Sequence, residues 1–84
     1  MKRLSELAPG ERARVVRIEA QGGLAERLAA MGITTGAVVQ VARRAPLGDP
    51  IDLRVRGYHL SLRKREAELV YVETGDGSGP ADRA

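Results

Sequence analysis

The stretch VVQVARRAPLGDPIDLRVRGYHLSL, residues 38–62, decides the fold class. Ile51, Leu53 and Val55 alternate with Asp52, Arg54 and Arg56, the period-2 pattern of a strand with one buried and one wet face. Residues 38–42 form a β-branched run that predicts a second strand. Between the two, Pro46 and Pro50 remove backbone donors and hold Ala45 and Asp49 extended, so residues 45–50 read as a stiff, shaped loop. Gly57-Tyr58 turns the chain into a third strand over residues 59–62, with Leu60 and Leu62 facing one way and His59 and Ser61 the other.

Working outward, residues 13–18 predict an earlier strand whose adjacent Val15 and Val16 blur the alternation, as a twist, a bulge or two-sided burial would. After Gly22-Gly23, Leu24, Leu28 and Met31 recur at helical spacing among alanines, which predicts a short amphipathic helix. Gly32 follows where a C-terminal cap needs positive φ, and Ile33 is placed to fold back on the last turn. Leu4-Ser5-Glu6-Leu7 reads as a single helical turn before the Pro9-Gly10 reversal. Residues 63–67 read as a one-turn connector, and the last strand is expected over 69–72. Five short strands with a helix inserted after the first predict a bent antiparallel sheet that closes on itself and so shields its edges. The expected architecture is mostly β: a small SH3-like five-stranded antiparallel barrel with one short inserted α-helix. The domain is expected over residues 1–73, and the segment 74–84, which lacks large apolar residues, reads as a disordered C-terminal tail.

Composition narrows the function. A chain of 84 residues supports one modest core and buries roughly 60% of its unfolded surface. It has no cysteine, phenylalanine or tryptophan and two tyrosines, so disulfides, thiolate metal sites and large aromatic platforms are excluded. The N-terminus lacks the apolar run of a signal peptide and no stretch is long and apolar enough to cross a bilayer. A cytoplasmic location without membrane insertion is therefore expected. A formal charge of +3 favours encounters with acidic partners without choosing among them.

Three segments, Arg27-Leu28-Ala29-Ala30-Met31-Gly32-Ile33 with Gly36, Ala45-Pro46-Leu47-Gly48-Asp49-Pro50-Ile51, and Gly57 followed by Leu60, Leu62, Arg63 and Glu66-Ala67, together resemble the ferrous iron transport protein A (FeoA) family in order and spacing. The similarity runs from Leu4 to about Val72. It implies an SH3-like cytosolic protein that assists or regulates a membrane ferrous-iron permease of the FeoB type, which carries its own GTPase domain. The family domain also occurs at the C-terminus of metal-dependent repressors, where it resembles a regulatory module. No DNA-binding helices precede it here, so the accessory of transport is the expected role.

The chemistry of individual residues points the same way. Fe(II) prefers imidazole and carboxylate ligands, and this chain offers one histidine, His59, with Asp49, Asp52, Glu66 and Glu68 scattered singly. No resident cofactor is expected, and His59 is a weak surface candidate that two chains could share around a transition metal. No catalytic residue is expected: His59 and Ser61 merely share a strand face, and Gly22-Gly23 lacks the Lys-Ser/Thr that would hold a phosphate. Arg43, Arg44, Arg54, Arg56, Arg63, Lys64 and Arg65 make nucleic acid a rival ligand, but stacking platforms are missing and the stripe is interspersed with acids, so no nucleic-acid partner is expected. Protein binding remains. The helix residues Leu24, Arg27, Leu28 and Met31 and the loop residues Leu47, Asp49 and Pro50, with Arg63, are the candidate contacts for the permease's cytosolic GTPase domain or loops. For Leu24, Leu28 and Met31 the alternative is that they plug the barrel end. Weak self-association stays open.

Overall fold

The computed structural model describes residues 1–74. In chain order it contains β1 (Lys2–Arg3), a 3₁₀ turn (Leu4–Glu6), β2 (Arg12–Ile18), α1 (Gly22–Ala30), β3 (Val38–Arg44), β4 (Ile51–Val55), β5 (Tyr58–Leu62), α2 (Lys64–Ala67) and β6 (Val70–Thr74). Every neighbouring pair in the sheet order β1-β6-β2-β3-β4-β5 is antiparallel. The five expected strands are all present. A sixth, Lys2–Arg3, pairs with Val72 and Tyr71, and no ladder joins β1 to β5, so the sheet curves without closing. The expected tail lies outside the described residues except for Thr74, which ends β6.

Two bulges bend the sheet. The β2–β6 register shifts between Val15 and Arg17, where the Val15-Val16 pair breaks the alternation. The β3–β4 register shifts between Val41 and Arg43 and reverses the parity of the last residues of β3. Arg43 pairs with Asp52 on the outer face, and Arg44 pairs with the buried Ile51. The inner face gathers Val15, Val39, Val41, Leu53 and Val55, all without exposed area. Leu4 and Leu7 from the N-terminal turn and Leu28 from α1 join the same aliphatic core.

Local chemistry fixes the connections. At the end of α1 the Ile33 N–H reaches the Leu28 carbonyl at 2.9 Å and the Gly32 N–H reaches that of Ala29 at 3.0 Å, the paired bonds of a helix stop with a left-handed glycine. Gly32 has φ of 88°, and a Cβ there would sit 2.5 Å from the Tyr58 hydroxyl. That hydroxyl donates to the Met31 carbonyl and ties α1 to the β4–β5 hairpin. The hairpin turns on Arg56 and Gly57, both left-handed at φ 55° and 87°, as a two-residue turn matched to strand twist requires.

Candidate functional site

Leu24 and Arg27 lie three residues apart on α1 and share one stripe of it. This stripe faces α2, and the two elements enclose an open groove of about 410 Å³ lined by Gly23, Leu24, Arg27, Arg65, Glu66 and Leu69. Leu24 and Leu69 are half-buried, so the floor is apolar and the rim charged.

Glu66 is the pivot. Only 8% exposed, it accepts the Arg63 N–H on Oε1 at 2.8 Å and Nη1 of Arg27 on Oε2 at 2.5 Å. Burial by itself pushes its carboxyl up, but the Arg63 amide and the Arg27 guanidinium, with Arg65 nearby, outweigh that and hold it below its ordinary range. One carboxylate thereby caps α2 at its first turn and joins α2 to α1.

The proline loop is braced from two sides. Arg44, turned inward by the bulge, donates from Nη1 to the carbonyls of Ser5 (2.9 Å) and Leu7 (3.1 Å) and from Nη2 to that of Gly48 (3.3 Å). Asp49 Oδ1 accepts the Lys64 N–H at 2.9 Å. Held this way, the loop presents Leu47 to solvent at 94% exposure, beside the exposed Pro46 and Pro50.

The candidate contacts therefore divide. Leu28 is fully enclosed in the core, Met31 is half-buried with its carbonyl engaged by Tyr58, and Leu24, Arg27, Leu47, Asp49, Pro50 and Arg63 have surface on the groove, the loop or their junction. The helix and loop candidates do not share one cleft: the groove is lined by α1, α2 and Leu69, and Asp49 links the loop to α2. In the sequence Glu66 reads as a scattered oxygen donor and as part of the family resemblance, not as a link between helices. Its signal is the Arg63-x-x-Glu66 spacing of a helix start, three residues from cap to acid.

His59 is exposed, and its Nε2 faces Nε and Nη2 of Arg54 at 3.3 and 3.2 Å. Asp52, two positions from Arg54 along β4, is engaged by the Ser61 hydroxyl at 2.6 Å and by Arg43 at 3.5 Å. Among the described residues no three His, Asp or Glu side chains converge as metal ligands, and no helix is long and apolar enough to cross a membrane. The arginine stripe is divided, because Arg44 is occupied by carbonyls, Arg43 by Asp52 and Arg54 by His59.

A bent antiparallel sheet with a capping helix inserted after its first long strand, and a surface of braced loops and helix ends, defines a small SH3-like β domain. The FeoA domain model matches residues 2–74, and the chain belongs to the FeoA family, small accessory domains associated with ferrous iron transport rather than a known enzyme family. A curated relative in Porphyromonas gingivalis, an Fe(2+) transport protein A/Fe(2+) transporter FeoB fusion protein, is 41% identical over 71 residues, covering 84% of this chain and 8% of the fusion. The solution structure of iron(II) transport protein A from Clostridium thermocellum is 44% identical with a TM-score of 0.83, covering 86% of this chain and 44% of that one. FeoA of Stenotrophomonas maltophilia, a prokaryotic SH3 domain protein solved with zinc, is 30% identical with a TM-score of 0.76, covering 87% and 91%. The chain thus spans less than half the length of the first two.

Proposed function

We propose that this chain is a cytoplasmic accessory and regulatory protein of ferrous iron uptake that docks on the GTPase domain or cytosolic loops of a FeoB-type membrane iron permease. The observation that carries the reading is the Porphyromonas gingivalis fusion, in which a segment 41% identical to this chain is joined to an FeoB transporter in one polypeptide. Covalent linkage keeps two modules at high effective concentration, the condition that a separate accessory must reach by affinity.

The surface supplies suitable contacts. Leu47 is an apolar anchor whose loop is already ordered by Arg44 and Asp49, so its burial in a partner pocket would cost little conformational entropy. The groove between α1 and α2 offers a second foothold, with Leu24 at its floor and Arg27, Arg63 and Arg65 at or near its rim to steer an acidic partner. Asp49 and Glu66 act from within by fixing α2 between the two. No catalysis and no resident cofactor belong to this reading, and GTP chemistry resides in the permease. Pull-down of the permease's cytosolic domain by this protein, with Leu47→Asp and Leu24→Asp compared, tests it. Retention by wild type and loss in either variant supports the reading, and absence of wild-type binding overturns it.

A second reading, weak transition-metal binding shared through His59, is favoured by the zinc in the Stenotrophomonas maltophilia structure. Here the Arg54 guanidinium covers His59 Nε2, so a cation would have to displace it or bind at Nδ1. Zinc and anaerobic Fe(II) titrations of wild type and His59→Ala decide this: equal, negligible heats dismiss it.

A further inference from the structure

The outer face of β2, β3 and β4 carries a cluster that the partner surface leaves unused. Sheet register lines up Arg12, Gln40, Arg54 and His59 across four strands, and Arg56 comes just after the end of β4. Arg12, Gln40, Arg54 and Arg56, with Val38 and Gly57, line a shallow open space of about 440 Å³ that has no carboxylate in its wall. The ion pairs among the described residues engage Lys2, Arg17, Arg27 and Arg43 and leave Arg12 and Arg56 without an acidic partner and Arg54 facing His59 rather than a carboxylate. Like charges brought together on neighbouring strands disfavour the bare face.

We propose that this face docks the protein on the phosphate headgroups of an anionic phospholipid surface, without insertion. Guanidinium forks match phosphate oxygens in pairs, which favours a phosphate ligand for a cluster whose cations are all arginine. The site is open, and strand amides here serve the sheet ladders, so no nest of backbone N–H groups can enclose one soluble phosphate. An array of headgroups engages all the arginines at once, and weak screened contacts then add. Nucleic acid is disfavoured because neither tyrosine offers a stacking platform there: the Tyr58 hydroxyl is tied to Met31, and the Tyr71 ring lies between the guanidiniums of Arg3 and Arg17 at 5.7 and 5.8 Å. The face shares no residue with the α1–α2 groove or the Leu47 loop, and the inference stands apart from the permease reading because vesicles alone test it.

Co-sedimentation with phosphatidylserine–phosphatidylcholine vesicles is expected to show adsorption that pure phosphatidylcholine does not give and that added salt reverses. The triple variant Arg12→Gln, Arg54→Gln, Arg56→Gln is expected to lower partitioning about 100-fold, the combined effect of three near-surface cations. The charge-matched triple Arg63→Gln, Lys64→Gln, Arg65→Gln is expected to keep adsorbing. Circular dichroism checks that each variant is folded, and Arg54→Glu alone replaces the first triple if that one unfolds. No adsorption by wild type, equal losses in the two triples, or saturable binding of inorganic pyrophosphate or single-stranded RNA without vesicle adsorption would each overturn the proposal.

Discussion

Replacing Glu66 should loosen α2 from both α1 and its own first turn. Glu66→Ala strands the Arg63 N–H, now bonded at 2.8 Å in a part-buried position, at a cost of about 1–2 kcal/mol. Arg27 is 53% exposed and turns to water, so its lost contact adds about 1 kcal/mol or less. The sum of about 1–3 kcal/mol lowers the thermal midpoint of a domain this size by about 5–20 °C. Glu66→Gln keeps an acceptor for the amide but not the charge, and should fall by about 1 kcal/mol. The gap between wild type and Glu66→Gln also depends on pH. Burial pushes the carboxyl up, yet the Arg63 amide and the Arg27 and Arg65 guanidiniums bring its folded-state value below its ordinary 4.5. Ionisation is therefore favoured by folding: the stabilisation is complete above the ordinary value and fades as pH falls through the lower folded one. Thermal melts followed by circular dichroism from neutral pH downward should show a constant gap that narrows below the ordinary carboxylate range. A gap that widens on acidification, or midpoints within a degree or so of wild type for both variants at neutral pH, would refute the pivotal role of Glu66.

Other perturbations have equally definite outcomes. Gly32→Ala meets a positive φ and a 2.5 Å approach to the Tyr58 hydroxyl, and should cost about 2 kcal/mol by denaturant titration, part of it recovered with Tyr58→Phe. Arg56→Asn places a residue tolerant of left-handed φ at the first turn position; it should raise stability by about 0.5–1 kcal/mol while weakening vesicle adsorption. Arg44→Met leaves the Ser5, Leu7 and Gly48 carbonyls without their shared donor. It should cost about 2 kcal/mol and, by slackening the Leu47 loop, weaken partner binding in a competition assay.

The sheet was legible wherever side chains alternate against one core. Ile51, Leu53 and Val55 marked β4 because all three point inward with no exposed area, and the Val15-Val16 doublet marked a real bulge. Gly32 marked the helix stop because only that backbone conformation turns the chain there. Lys2–Arg3 was not legible, since both residues are exposed and their strand exists only through pairing with Val72 and Tyr71. The bulge at Ala42 was also silent, and with it the fate of Arg44: adjacent arginines look alike in a sequence, and a register shift of one residue sends them to opposite faces. For the candidate site, Leu47 and Leu24 could be chosen as apolar residues on a loop and a helix. That Glu66 of α2 reaches Arg27 of α1 across the groove depends on long-range placement that local periodicity does not encode.

The most direct test of the central reading is calorimetric titration of the cytosolic GTPase domain of a FeoB-type permease with this protein and with its Leu47→Asp variant. Leu47 is almost wholly exposed, so saturable binding by wild type, loss of binding in Leu47→Asp and an unchanged thermal midpoint are expected. Equal binding by the two proteins would take Leu47 out of the interface, and no binding by wild type would contradict the accessory role itself.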